Sequence, residues 1–258
     1  MGNLKKEVVI NKLVSPPLPL YDSNFPILFF WSPKGGCTSL AKWYFYHIGL
    51  LETASQYESI HSYRMNEFQI QPHYEKNILK ALVNDEKNVY KLVRDPFTRA
   101  VSSYFATITN ESIMRVIAPH LKDGMSFKQF LYIIRNIGVT KGAINLHIAQ
   151  QYTDGEELLI KNYIRLENFM NELKTIEKQY NLPHSPIETI VKSPHHITDK
   201  MKKFDERCFA EVKMSQSSLN KPVPDYQNFY NEETMQLVKE IYKHDFVTYQ
   251  YSQTLKTV

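Results

Sequence analysis

The sequence is poor in cysteine and has no long hydrophobic run. Cys37 and Cys208 are the only cysteines in 258 residues, which argues against a disulfide framework and favours a reducing compartment. No apolar stretch approaches the roughly 18 residues that a membrane-spanning helix needs. The N-terminus also lacks the apolar core of a signal peptide. We therefore predict a cytoplasmic protein without a transmembrane segment.

Signals for metal and nucleic-acid binding are missing as well. The nine histidines form no H-E-x-x-H pattern and the cysteines no C-x-x-C pattern, so we predict no metal requirement. The net charge of +4 comes from scattered lysines, without the basic run and interleaved aromatics that nucleic-acid binding favours. We predict no nucleic-acid partner, because an anionic cofactor is enough to explain the surplus of positive charge.

No linker, low-complexity segment or internal repeat divides the chain. With 43% apolar residues it can bury one sizeable core, and helical and strand patterns interleave along its length. We predict a single domain over residues 1–258. Because prolines occupy positions 16, 17 and 19, residues 1–24 are predicted to be an extended N-terminal segment.

Residues 27–42, ILFFWSPKGGCTSLAK, join an apolar strand to a helix start through a turn that contains lysine and glycine. Unpaired backbone N–H groups at a helix N-terminus bind anions. The glycines allow close approach, the lysine adds charge, and the hydroxyl residues cap the helix or bind phosphate. The lysine precedes the glycines, unlike in the G-x-x-x-x-G-K-[ST] loop for Mg-bound triphosphates. The predicted anion contacts are Lys34, Gly35, Gly36, Cys37, Thr38 and Ser39.

Two interpretations of Cys37 stay open. A thiol in an anion-binding loop has a lowered pKa if the nearby positive charge dominates. Alternatively, cysteine simply occupies a small-residue position in the turn.

Residues 88–106, NVYKLVRDPFTRAVSSYFA, again read as a short apolar strand that breaks into a helix. Asp95 is a natural N-cap and Pro96 suits the first helical position. Arg94 at the strand end and Ser102 two turns along the helix can face the same cleft, where they suit a second phosphate. The predicted core stripe is Phe97, Ala100, Val101, Tyr104 and Phe105, with Arg99, Ser102 and Ser103 off it.

Together these segments resemble the sulfotransferase family that uses 3'-phosphoadenosine-5'-phosphosulfate (PAPS), particularly its carbohydrate-type, sulfotransferase family 2-like branch. PKGGCTS is similar to the family's 5'-phosphosulfate loop, and RDPFTRAVSSY to its 3'-phosphate strand and helix. The segment at 163–183 and the C-terminal YNEETMQLVKEIYKHDFVTYQY also resemble family segments. The resemblance covers nearly the whole chain and is weak over 107–160.

The resemblance implies an α/β, P-loop-like fold, with a central mainly parallel sheet flanked by helices. We expect strands near 26–31, 89–94 and 159–166, with the ligand at their C-terminal ends. The implied reaction is in-line transfer of a sulfuryl group from PAPS to an acceptor hydroxyl, on a saccharide or glycolipid, with release of PAP.

The resemblance also implies roles for individual residues. Lys34 would neutralise the leaving 5'-phosphate, while Arg94 and Ser102 would hold the 3'-phosphate. The polar segment 214–226 lies where the family has a loop that closes over the cofactor, although an ordinary surface loop is equally compatible. Its predicted phosphate contacts are Ser217, Asn220 and Lys221.

Histidine suits the general base that an acceptor hydroxyl needs. His61 is our first candidate, because the resemblance implies a catalytic histidine in this stretch after the first helix. The alternative is a surface histidine. His147 is the second, against a residue that only packs a helix. Arg64 near His61 binds an acidic acceptor or is a solvated arginine.

Two other functions stay open. One is an ATP- and Mg-dependent P-loop kinase, which shares the anion-loop physics. The other is a non-catalytic protein that binds a nucleotide and a glycan. Peripheral contact with a lipid-linked acceptor is compatible with the sequence, and the oligomeric state is not predicted.

Overall fold

The computed structural model describes residues 2–121, 123–191, 201–204, 207–220 and 222–255. A π-helical turn spans Arg64–Phe68, and 3₁₀ turns span Glu156–Leu158, Leu166–Asn168, Gln216–Asn220 and Tyr226–Phe229. The other elements, in chain order, are α1 Gly2–Leu13, β1 Ile27–Trp31, α2 Cys37–His47, α3 Leu51–Ser55, α4 Ile60–Tyr63, α5 Tyr74–Val83, β2 Asn88–Val93, α6 Pro96–Thr109, α7 Glu111–Ile117, α8 Phe127–Ile137, β3 Asn162–Arg165, α9 Phe169–Gln179, α10 Ile187–Ile190, β4 Met201–Lys202, β5 Val223–Pro224, α11 Glu232–Ile241 and α12 Lys243–Thr248.

The chain divides into two compact units, each built from two stretches of sequence. The first unit comprises Met1–Arg94 and Thr153–Lys192, and the second comprises Asp95–Tyr152 and Ser193–Val258. The single domain over residues 1–258 stays a prediction.

A parallel sheet in the order β1-β2-β3 forms the centre of the first unit. Every residue of β1 is buried, as expected for a strand of a covered parallel sheet, which reads as a continuous apolar run. The apolar run of β2 is interrupted by Lys91, which is buried. Its charge is paired, because Lys91 Nζ lies 2.5 Å from the buried Glu156 Oε2. The predicted α/β fold with a central parallel sheet is confirmed, and its strands lie close to their predicted positions.

Buried polar contacts hold α2 against α9. Trp43 Nε1 donates to Glu177 Oε1 at 2.8 Å, and His47 Nε2 lies 3.2 Å from the same oxygen. Burial lowers the pKa of His47, against the opposing effect of Glu177. A buried carboxylate with several hydrogen-bond partners holds those partners in one arrangement. These contacts therefore fix the position of α2, the helix that follows the anion loop.

The N-terminal segment differs from its prediction. Residues 1–24 were expected to be extended, but Gly2–Leu13 is helical, so the prediction is wrong over this stretch. Val9, Ile10 and Leu13 are buried at helical spacing, and Lys12 Nζ lies 2.8 Å from Asp154 Oδ2. Packing against distant residues stabilises this helix, and the prolines follow it.

The second unit packs α6, α7, α8, α11 and α12 around an aromatic-rich core. The Asp95 side chain accepts from Thr98 N at 3.1 Å, which confirms the predicted N-cap of α6. The whole predicted stripe of α6 is buried, but so are Arg99, Ser102 and Ser103, which were predicted to lie off it. Burial of these three residues shows that α6 is enclosed on more than one face, beyond the single stripe that was predicted. In this buried position, Arg99 Nη2 donates a hydrogen bond to the Ala149 carbonyl at 2.7 Å.

Candidate active site

The anion loop of the first unit follows β1 and starts α2. Trp31 pairs with Leu92 in register, so the loop leaves the sheet beside the end of β2. Gly35 N donates to Ser32 O at 3.0 Å and closes a tight turn. The backbone N–H groups of the first turn of α2 have no intrahelical acceptor by geometry, and this helix end attracts anions.

Two positions in the loop adopt left-handed backbone conformations. Lys34 has φ 66° and Gly36 has φ 93°. Glycine tolerates this conformation, whereas lysine is strained in it by about 1–2 kcal/mol. Arg94 Nη1 donates to the Lys34 carbonyl at 2.9 Å. Arg94, which is predicted to bind the 3'-phosphate, therefore also stabilises the conformation of the loop. Strain held by surrounding contacts is typical of functional sites.

Gly36 is the N-cap residue of α2 and brings no side chain to the cap. The alternative in which Thr38 and Ser39 cap the helix is therefore wrong, because the helix begins at Cys37 and both residues already lie inside it. Their alternative role in binding phosphate stays a prediction. Ser39 is buried. Thr38 Oγ1 instead contacts a histidine.

His61 lies beside the start of α2. Its Nε2 is 3.0 Å from Thr38 Oγ1 and 3.6 Å from Cys37 Sγ. The donor in each contact depends on the tautomer. The ring is half-buried and stacks on Trp31 at a centroid distance of 6.3 Å. The fold therefore brings the first candidate base to the predicted anion loop.

Arg64 is buried, so its interpretation as a solvated arginine is wrong. Its Cζ lies 4.2 Å from the centroid of the Trp31 ring, a cation–π geometry. Burial lowers the pKa of Arg64. Trp31 thus contacts both Arg64 and His61.

Comparison with protein families decides the class of the protein. The model of the sulfotransferase family matches residues 20–252. The chain belongs to the sulfotransferase family. The protein is therefore a transferase for sulfuryl groups, and the match is to the branch that the sequence resembles. No curated protein and no solved structure matches the chain.

The Cys37 thiol of this sulfotransferase has a raised pKa. Burial is the largest cause and outweighs the opposing charges of Arg64 and Lys34. The interpretation with a lowered pKa is therefore wrong, and cysteine serves as a small residue at the helix start.

Other predicted site residues lie in the second unit. Ser102 is buried in α6. Ser217 and Asn220 are exposed in the 3₁₀ turn Gln216–Asn220, where Ser217 Oγ lies 2.8 Å from Ser215 Oγ. Lys221 lies outside the described residues. The roles of these four residues in the sulfotransferase stay predictions.

His147, the second candidate base, is exposed in a turn. Both its backbone N and its Nδ1 lie 3.0 Å from Asn145 Oδ1. The alternative that it packs a helix is wrong, because this segment is not helical.

The sequence did not predict that the Trp31 ring contacts both His61 and Arg64. Trp31 is the last residue of ILFFW, which reads only as an apolar strand. The available signal is its position directly before the loop. Arg64, three residues after His61, lies one helical turn from it. Gly36 also packs closely against the Leu166 side chain. No local sequence pattern predicts this contact, because the two residues are far apart in sequence.

Neither a metal cluster nor a membrane-spanning helix occurs within the described residues. There, no group of three or more His, Cys, Asp and Glu side chains is arranged to hold a metal ion. In the same part of the chain, no helix combines the length and apolarity needed to cross a bilayer. The absence of a metal requirement stays a prediction.

Replacing Gly36 by alanine is expected to destabilise the protein by about 2–4 kcal/mol. The new Cβ would lie 2.4 Å from Leu166 Cδ1, and the left-handed backbone adds strain. Gly49→Ala is the matched control, because Gly49 has φ 72° and a Cβ there would meet no atom within 4 Å. Chemical denaturation would measure both, and we expect about 1 kcal/mol for the control. Equal losses would contradict the close approach to Leu166.

Iodoacetamide at pH 7.5 is expected to alkylate Cys208 about tenfold faster than Cys37. Cys208 is exposed, whereas burial raises the pKa of Cys37 and lowers its thiolate fraction. The rate at Cys37 should rise as the pH approaches its raised pKa. Mass spectrometry of the two cysteine peptides reports both rates in one sample. Faster labelling of Cys37 at neutral pH would contradict the raised pKa.

Proposed function

We propose that this sulfotransferase moves a sulfuryl group from PAPS to a saccharide hydroxyl, free or lipid-linked, and releases PAP. The observation that carries the proposal is the anion loop, which holds a strained Lys34 and whose helix start at Thr38 lies beside His61. A cytoplasmic location and peripheral contact with a lipid-linked acceptor stay predictions.

The loop supplies charge stabilisation. Lys34 and the N–H groups from Gly36 to Thr38 neutralise charge that grows on the bridging oxygen as the bond between sulfur and the 5'-phosphate breaks. Preorganised donors act strongly in such transfers because they need no reorganisation during the reaction. Arg94 holds the 3'-phosphate and, through the Lys34 carbonyl, the loop conformation. Ser102 is proposed as the second contact of that phosphate.

His61 accepts the proton. The acceptor oxygen forms its bond to sulfur while its proton passes to His61 Nε2. Thr38 Oγ1 lies 3.0 Å from this nitrogen. A phosphate oxygen in the loop is a stronger acceptor for the Thr38 hydroxyl, so cofactor binding would leave Nε2 to the acceptor.

Transfer of ³⁵S from labelled PAPS tests the proposed function. The protein would be incubated with neutral and acidic oligosaccharides, with lipid-linked saccharides, and with small phenols and amines. We expect label on a saccharide set, with one PAP formed for each label transferred. Label on phenols or amines alone would show that the acceptor class is wrong. Binding of PAP without transfer to any acceptor would support the non-catalytic alternative.

A further inference from the structure

Two buried donors without acceptors lie in contact at the end of β1. Arg64 is 6% exposed and Trp31 is 8% exposed, with the Arg64 guanidinium carbon 4.2 Å from the centroid of the indole ring. Arg64 Nε and Trp31 Nε1 are enclosed, and neither has a hydrogen-bond partner within the described ranges. Buried N–H groups are nearly always paired. Two orphaned donors on side chains that contact each other therefore indicate a missing acceptor.

The charge of Arg64 is also uncompensated. A guanidinium remains protonated in proteins, and a buried charge is strongly unfavourable without a partner of opposite sign. Among the residues that the structure describes, no carboxylate lies within ion-pair distance of Arg64, whose guanidinium instead faces the Trp31 ring. An anion within reach of both side chains would compensate the charge and accept from the two donors.

The position is next to the anion loop and separate from it. The Trp31 ring carries Arg64 at 4.2 Å and stacks on His61 with an interplanar angle of 24°. His61 in turn contacts Thr38 at the start of α2. Arg64 begins the π-helical turn Arg64–Phe68, a rare geometry that is frequent at functional sites. The charge of Arg64 lowers the pKa of Cys37, against the effect of burial, so its field reaches the loop.

We propose that Arg64 and Trp31 form a second oxyanion site beside His61, which takes a sulfonate or carboxylate group. The guanidinium fork matches such a group in bidentate geometry, and the indole N–H adds another donor. Only the source of the oxyanion rests on the proposed function. It is either the sulfuryl group of the donor or an acidic group of the acceptor.

Tryptophan fluorescence provides a direct test, because Trp31 is part of the site. Sodium sulfate would be titrated into protein saturated with PAP, against sodium chloride at equal ionic strength. We expect a saturable change with sulfate in the wild type and at least a tenfold loss of sulfate affinity in Arg64→Gln. Arg115→Gln is the matched control, because the Arg115 side chain is 74% exposed and pairs with Glu111 on the surface. Equal sulfate affinity in the wild type and Arg64→Gln would overturn the proposal.

Repeating the sulfate titration with PAPS in place of PAP distinguishes the two sources of the oxyanion. If the site takes the sulfuryl group, PAPS abolishes the sulfate response and Arg64→Gln weakens binding of PAPS but not of PAP. If it takes an acidic group of the acceptor, the response persists with PAPS bound. Either result supports the oxyanion site. Failure of the proposed function is distinguishable, because the wild type would then not bind PAP.

Thermal melting of Arg64→Met separates a binding role from a structural one. This variant removes an uncompensated buried charge, so we expect its melting temperature without ligand to equal or exceed that of the wild type. Sulfate should raise the melting temperature of the wild type and leave that of Arg64→Met unchanged. A variant that melts several degrees lower and still responds to sulfate would overturn the proposal.

Discussion

Replacing His61 by alanine is expected to lower kcat for transfer from PAPS by about 10²- to 10⁴-fold, the usual contribution of a general base. His61 Nε2 lies 3.0 Å from Thr38 Oγ1 at the start of α2, where the acceptor hydroxyl approaches the sulfuryl group in the proposed reaction. Binding of PAP should change little, because the imidazole acts on the acceptor. Calorimetry with PAP and ³⁵S transfer to the saccharide found in the acceptor screen measure the two effects.

Two controls show whether His61 acts chemically. His73→Asn changes an exposed histidine of the same unit whose φ of 64° asparagine tolerates, and it should retain full activity. Added imidazole should restore part of the activity of His61→Ala, because it replaces the missing base. Normal turnover of His61→Ala would show that another group acts as the base, and His147 would be the next candidate.

Replacing Lys34 by glycine is expected to lower kcat by about 10²- to 10³-fold, the range for loss of one preorganised charge-stabilising group. Glycine suits this test because Lys34 has φ 66°, so the change removes the ammonium group while it relieves backbone strain. We expect the loss in kcat to exceed the loss in PAP affinity, because the charge on the leaving phosphate grows in the transition state.

Lys80→Gly is unsuitable as a control because it would weaken α5, so Lys80→Ala is used instead. The Lys80 side chain is 68% exposed in the same unit, and its loss should change neither kcat nor PAP binding. Equal tenfold losses of PAP affinity and kcat/KM in Lys34→Gly, with kcat unchanged, would show that Lys34 contributes only uniform binding. That result would contradict its role at the leaving group.

The local features of the site were predictable from sequence. The apolar run ILFFW, the glycines of the loop and the Asp95 cap each act over a few residues, and the structure has the predicted strand, turn and helix at these positions. The placement of His61 beside the loop was expected from the family resemblance. Physical reasoning on spacing alone does not bring a residue 23 positions away to Thr38.

The features that sequence did not predict depend on contacts between distant residues. Arg64 reads as a surface residue until Trp31 covers it. Arg99 reads as polar and solvated until the Ala149 carbonyl accepts from it inside the second unit. The helix Gly2–Leu13 has a weak pattern of its own and is stabilised by packing, as for Val9 against Gly155. Sequence patterns express local preference, and tertiary packing overrides it at these positions.

Calorimetric titration with PAP, and separately with ATP plus Mg²⁺, tests the PAPS assignment most directly. We expect micromolar affinity for PAP, about −8 kcal/mol, and a clear loss of that affinity in Arg94→Ala, because the variant removes both the proposed 3'-phosphate contact and the brace on the Lys34 carbonyl. Binding of Mg-ATP without binding of PAP would contradict the assignment of the cofactor.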